Sequence, residues 1–222
     1  MTILPWLAGT LALTAVSEDV PVFELLPEAQ QTRLAACGVD AGELSRLLEL
    51  KQRPFDQDFE GGWREIAGRD GCRLAAADAI ESYMLFARPY GPEHTKILRW
   101  HAGQMYAYEQ RTDKAIAYFR ATYDDVESVA FPGPEWNLYV DATLAFLRGD
   151  YDALVAARDE LAVQPVPEER KESRRKMLAD NPNMTMPEGF IDAPMNLNVV
   201  KGLVDCFGKP YSQAYGSCEK DE

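Results

Sequence analysis

The chain has 222 residues, 46% of them apolar and 10% aromatic, which excludes a disordered or fibrous protein and allows one sizeable core. Its 36 acidic residues against 23 Lys and Arg leave a formal charge of -13, which repels phosphate backbones and anionic lipid surfaces. Nucleic acid is therefore not an expected partner, whereas basic proteins, peptides and cations are compatible, and acidity of this kind also serves solubility.

Residues 3–16 form an apolar run with Leu4, Trp6, Leu7, Leu11, Leu13 and Val16, too short for a normal spanning helix. Ala15-Val16-Ser17 puts small residues where a cleavage after Ser17 needs them, and Glu18-Asp19 follow at once. This is the shape of a signal peptide (residues 1–17), although no Lys or Arg precedes the run. Export to a periplasm or beyond is the expectation, with no membrane span left in the mature chain. Four cysteines agree with it: Cys37, Cys72, Cys206 and Cys218 form no CxxC pair, so neither a zinc ribbon nor a thioredoxin-like motif is indicated. Of the three possible pairings, Cys37 with Cys72 and Cys206 with Cys218 are favoured, the first joining two early helices and the second closing a local loop. In an oxidising compartment each bridge contributes ~2–4 kcal/mol.

Residues 18–60 read as an N-terminal helical cap. An extended segment is expected over 20–26, around Pro21 and Pro27, with Pro27 suited to the first position of a helix over 28–37 that buries Leu34 and ends at Gly38. Asp40 can cap a helix over 41–51 whose stripe is Leu44, Leu47, Leu48 and Leu50, and Pro54 stops it. Next comes Phe55-Asp56-Gln57-Asp58-Phe59-Glu60-Gly61-Gly62-Trp63, with three carboxylates in five residues. One reading is a ligand loop using Asp56 and Asp58. It lacks the further ligands and glycine spacing of a calcium helix-loop-helix motif. The other reading is an acidic helix N-terminus, with Phe55 and Phe59 as core anchors.

A period then emerges over 61–164. Trp63, Trp100 and Trp136 are 37 and 36 residues apart, and each precedes an alanine in a second apolar segment: Ala79, Ala115 and Ala153. Two helices that cannot bury their own apolar face need about three copies to be stable. The spacing Trp63, Ile66, Ala67, Ala79, Tyr83 resembles the tetratricopeptide consensus. In the second unit Gly103, Tyr106, Ala115 and Phe119 match, while Trp100 is one residue late; in the third, the turn Gly149-Asp150-Tyr151 comes one residue short of the pattern before Ala153. The resemblance covers roughly residues 62–163. It implies an all-α stack of antiparallel helix hairpins, a helical solenoid, and by family habit a scaffold for a protein or peptide.

The third unit is legible directly. Trp136, Tyr139, Val140, Thr143, Leu144 and Leu147 make a helical stripe after Pro134, and Tyr151, Leu154, Val155, Leu161 and Ala162 form its partner. An acidic linker with Asp124, Asp125 and Glu127 separates units two and three. The remainder, 165–222, begins with a charged helix over 168–178 whose bases Arg170, Lys171, Arg174 and Arg175 read as a solvated face with internal ion pairs. A loop rich in Pro, Asn and Met follows, then an apolar helix over 197–207 and a return to Cys218 that caps the stack.

No nucleophile elbow, His-Glu-x-x-His pair or phosphate-cradling loop is present, and the two histidines are His94 and His101. No cofactor and no metal is expected. The reading is a monomeric, exported, non-catalytic scaffold whose groove is lined by Trp63, Trp100, His101, Gln104, Tyr108 and Trp136, with Asp56 and Asp58 at its rim. The alternatives are an envelope hydrolase using His101 with a nearby carboxylate, and a structural envelope component.

Overall fold

A computed structural model describes residues 20–87, 91–124, 134–186, 189–215 and 218, with the backbone alone for 91–94. The expected leader, the linker acids Asp125 and Glu127, and the side chain of His94 lie outside the described residues.

Every element among the described residues is helical, and the helices pack on one another. The segment expected to be extended forms one turn, α1 (Val22–Leu25), because Glu24 N–H reaches the Pro21 carbonyl at 2.9 Å. Pro27 forces Leu26 into the extended region and ends it. Pro27 then stands as the N-cap of α2 (Glu28–Ala36), one residue ahead of the expected place. Gly38, at φ +72°, closes α2, and Val39 N–H turns back to the Leu34 carbonyl. The Asp40 carboxylate accepts Glu43 N–H at 2.9 Å and so caps α3 (Ala41–Glu49), whose Leu44 and Leu47 are buried.

Residues 53–57 form a π turn (Arg53–Gln57) rather than an acidic α-helix start, and α4 (Gly62–Ala67) begins behind it. Then come α5 (Arg73–Phe86), α6 (Gly91–Tyr108), α7 (Thr112–Arg120), α8 (Pro134–Arg148) and α9 (Tyr151–Ala162). The successive pairs α4 with α5, α6 with α7 and α8 with α9 pack together, and α5 with α6 and α7 with α8 join them. α5 is the most enclosed: α2, α3, α4 and α6 all pack on it, and Ala75, Ala76, Ala77 and Ala79 allow that close approach. Gly103 has the same role between α6 and α7, where a Cβ would lie 2.9 Å from the Phe119 ring.

The three sequence units are not in equivalent register. Trp63 is the second residue of its helix, Trp100 the tenth and Trp136 the third. Ala79 and Ala115 are buried as expected, but Ala153 is exposed. The reason is local: Asp150 caps α9 by accepting Ala153 N–H, so residue 153 sits in the exposed first turn and the core positions pass to Leu154 and Ala157.

After α9 come α10 (Glu168–Asp180), α11 (Leu197–Asp205) and α12 (Tyr211–Ala214). α11 covers α8 and α9, and α12 lies on α6. The bases of α10 do more than solvate it. Arg170 pairs with buried Glu135 at 2.5 Å, Lys171 with Asp192 at 2.9 Å, and Arg174 Nη1 donates to the carbonyls of Phe190, Ile191 and Ala193. The internal pairing expected of the cluster is met at Glu168, which Arg175 approaches to 2.8 Å and Lys171 to 4.0 Å. The sulfurs of Cys37 and Cys72 lie 2.11 Å apart and those of Cys206 and Cys218 2.01 Å, the two pairings favoured from the sequence. No helix among the described residues is long and apolar enough to cross a membrane.

Candidate functional site

The acidic stretch builds the most distinctive polar arrangement. Asp56 is fully buried and accepts three hydrogen bonds: Trp63 Nε1 at 2.8 Å, His101 Nδ1 at 2.7 Å and Gln57 Nε2 at 2.5 Å. Burial pushes its carboxyl up, but the bonds from His101, Trp63 and Gln57 and the charge of His101 outweigh that and hold it below the ordinary value. Asp56 is therefore an ionised acceptor, and His101 donates to it from Nδ1. The His101 side chain is 12% exposed, and its ring lies 5.2 Å from that of Trp63.

The turn is held from beneath. Phe55 is buried and stacks on Tyr83 at 3.8 Å, and the Tyr83 hydroxyl donates to the Leu50 carbonyl. Gly62, at φ +58°, presses its backbone on Phe55 so closely that no side chain fits. Above this base the expected anchor Phe59 is not in the core: it is 87% exposed. It borders an open cleft of about 550 Å³ lined by Arg53, Pro54, Gln57, Asp58 and Glu60. The Arg64 guanidinium lies 5.6 Å from the Phe59 ring and 4.2 Å from that of Trp63. Burial lowers its proton affinity, and its Nη1 is buried without a hydrogen-bond partner among the described residues.

Asp56, Trp63 and His101 are thus brought together, with Asp58 exposed beside them. The other expected groove residues are interior. Trp100 is 3% exposed, its ring within 5.0 Å of those of Phe119, Trp136 and Tyr139. Trp136 is also buried and donates to the Thr122 carbonyl at 2.6 Å. Gln104 is buried, and Tyr108 packs against Tyr211 and Tyr215. α7 and α8 enclose the two tryptophans, and α12, inside the loop closed by the Cys206–Cys218 bridge, covers Gln104 and Tyr108 on the face of α6 where a groove was expected. Asp56 likewise sits under the site instead of at a rim.

A second polar cluster was not anticipated. Glu81 accepts from Tyr106 at 2.6 Å, Tyr118 at 2.7 Å and Gln30 at 2.9 Å and pairs with Lys114 at 2.8 Å. Burial raises this carboxyl, but Lys114, Tyr106 and Tyr118 bring it below its ordinary value, while burial and Glu81 hold both tyrosine hydroxyls well above theirs. Its neighbour Asp78 is buried and takes a two-pronged contact from Arg33 at 2.7 and 2.9 Å. The available signal was two acids, Asp78 and Glu81, three apart in the apolar run of α5. Every one of the four carboxylate oxygens has a donor, so the cluster reads as a brace between α2, α5, α6 and α7.

Among the described residues, no three or more His, Cys, Asp and Glu side chains are grouped to hold a metal ion. The chain matches no protein-family model, no curated protein and no solved structure.

Proposed function

We propose that the chain is an exported, non-catalytic scaffold with a tetratricopeptide-like helical stack, which binds a protein or peptide partner through the Arg53–Glu60 cleft. One observation carries the reading: an almost fully exposed phenylalanine, Phe59, stands on a turn that Asp56, Phe55 and Gly62 lock from below. A rigid aromatic on a preorganised base lowers the entropic cost of recognition. Asp58 and Glu60 on the cleft wall suit a partner segment with a basic side chain, in keeping with the charge of -13. The two disulfides favour an oxidising compartment, and the partner is met there.

The test is a photo-crosslinking amino acid at position 59, used in an envelope fraction with Phe59→Ala as the competing variant. Crosslinking to one defined partner, with capture lost in Phe59→Ala at unchanged thermal stability, is expected. Capture that ignores both Phe59→Ala and Asp58→Asn would sink the proposal.

The 2.7 Å contact between Asp56 and His101 favours a second reading, an envelope hydrolase in which Asp56 orients His101 as a base toward water. It predicts that His101→Ala lowers hydrolysis of an envelope substrate by about 10²–10⁴-fold. Unaltered turnover in that variant would remove this reading and leave the first intact.

A further inference from the structure

We propose that the cleft between the end of α10 and the following loop is a site for a soft monovalent metal ion, held by the thioether sulfurs of Met184 and Met186. The inference is independent of the Phe59 site and rests on different residues. Four of the chain's seven methionines, Met177, Met184, Met186 and Met195, fall within nineteen residues, so thioethers are concentrated in this one region. Methionine is ordinarily a buried residue, yet Met184 is 42% and Met186 38% exposed. Both line the same cleft, of about 530 Å³. Met184 N–H closes a turn on the Asn181 carbonyl at 2.9 Å, and Met186 follows two residues on in the same segment. Because both residues line the cleft, their long, flexible side chains can converge on one ion.

The surroundings suit a soft ion, and the Asp192 carboxylate on the cleft lining is already paired with Lys171 at 2.9 Å. Leu178, Pro182, Phe190 and Ile191 supply an apolar shell around the donors, which limits competition from water. The facing segment is held in place by the three carbonyl bonds of Arg174 and the Lys171–Asp192 pair. All four cysteines are paired with one another, so no thiolate competes for the ion. Thioethers are neutral, need no deprotonation and select Cu(I)-like ions over Mg²⁺, Ca²⁺ or Mn²⁺.

Ag(I) is the probe, because it needs no reductant and so leaves both disulfides closed. The full chain is titrated with Ag(I) and followed by native mass spectrometry and by the methionine ε-methyl NMR signals. The expected result is one ion per chain, with the Met184 and Met186 signals moving while those of buried Met105 and half-buried Met84 stay. Met184→Leu with Met186→Leu, which nearly conserves volume, loses the ion, and binding by the unaltered chain stays constant from mildly acidic to neutral pH. Three results would each overturn the site: no saturable binding, equal binding by the double variant, or a pH profile that follows carboxylate or histidine titration.

Discussion

Gly62→Ala isolates the contact that sets the π turn against α4. At φ +58° an alanine costs about 1–2 kcal/mol in backbone strain alone. Its Cβ would also stand 2.0 Å from the Phe55 carbonyl oxygen, 2.6 Å from the carbonyl carbon and 2.8 Å from Cα. These are backbone atoms of a buried residue and cannot swing aside, so the turn must lift, at the cost of about 1–3 kcal/mol usual for overpacking. The total is about 2–5 kcal/mol. Gly71→Ala is the matched control: at φ +69° it carries the same strain, but nothing lies within 4 Å of its Cβ, so only about 1–2 kcal/mol is lost. Urea denaturation of both variants, followed by tryptophan fluorescence, measures the difference. If Gly62→Ala were no more destabilising than Gly71→Ala, the packing of residues 55–62 described here would be wrong.

Acid should weaken the fold through Asp56 and Glu81, both held below their ordinary values of 3.8 and 4.5. A carboxyl depressed in the folded state contributes fully above its unfolded value and loses that contribution as pH falls through the folded one. Thermal midpoints should therefore be flat above the ordinary carboxylate range and drop below it, with a shallower drop in Asp56→Asn; an identical pH profile would refute the Asp56 part. The Cys37–Cys72 bridge spans 35 residues and the Cys206–Cys218 bridge 12, so chain entropy assigns them about 4 and about 3 kcal/mol. Paired Cys→Ser variants in urea should rank in that order, and the reverse order would contradict the entropic account. Arg174→Met should speed amide hydrogen exchange in residues 189–193 while leaving α8 and α9 unchanged. Unchanged protection in both regions would show that the clamp holds nothing.

Much of the architecture was legible one element at a time. Asp40, Gly38, Gly149 and Pro134 mark helix ends through backbone conformation and capping, which depend on a few neighbouring residues. Leu44, Leu47, Tyr139 and Leu144 were placed on inward stripes because helical periodicity alone fixes which face they share. The favoured cysteine pairings also needed little more than the order of the helices.

Exposure of the aromatic residues was decided only in three dimensions. Phe55 and Phe59 look alike in the sequence, four apart in one acidic stretch; the π turn buries the first and leaves the second 87% exposed. Trp100, Gln104 and Tyr108 form a plausible binding stripe along α6 until α12, a hundred residues later, lies over part of it. Separation along the chain, 45 residues in the first case, also hid the contact between Asp56 and His101 and the brace around Glu81, whose donors come from three other helices. Periodicity records what one helix requires of its own residues. Which polar groups meet, and which surfaces stay open, depends on how distant helices share the space between them, and that is a property of the packed chain.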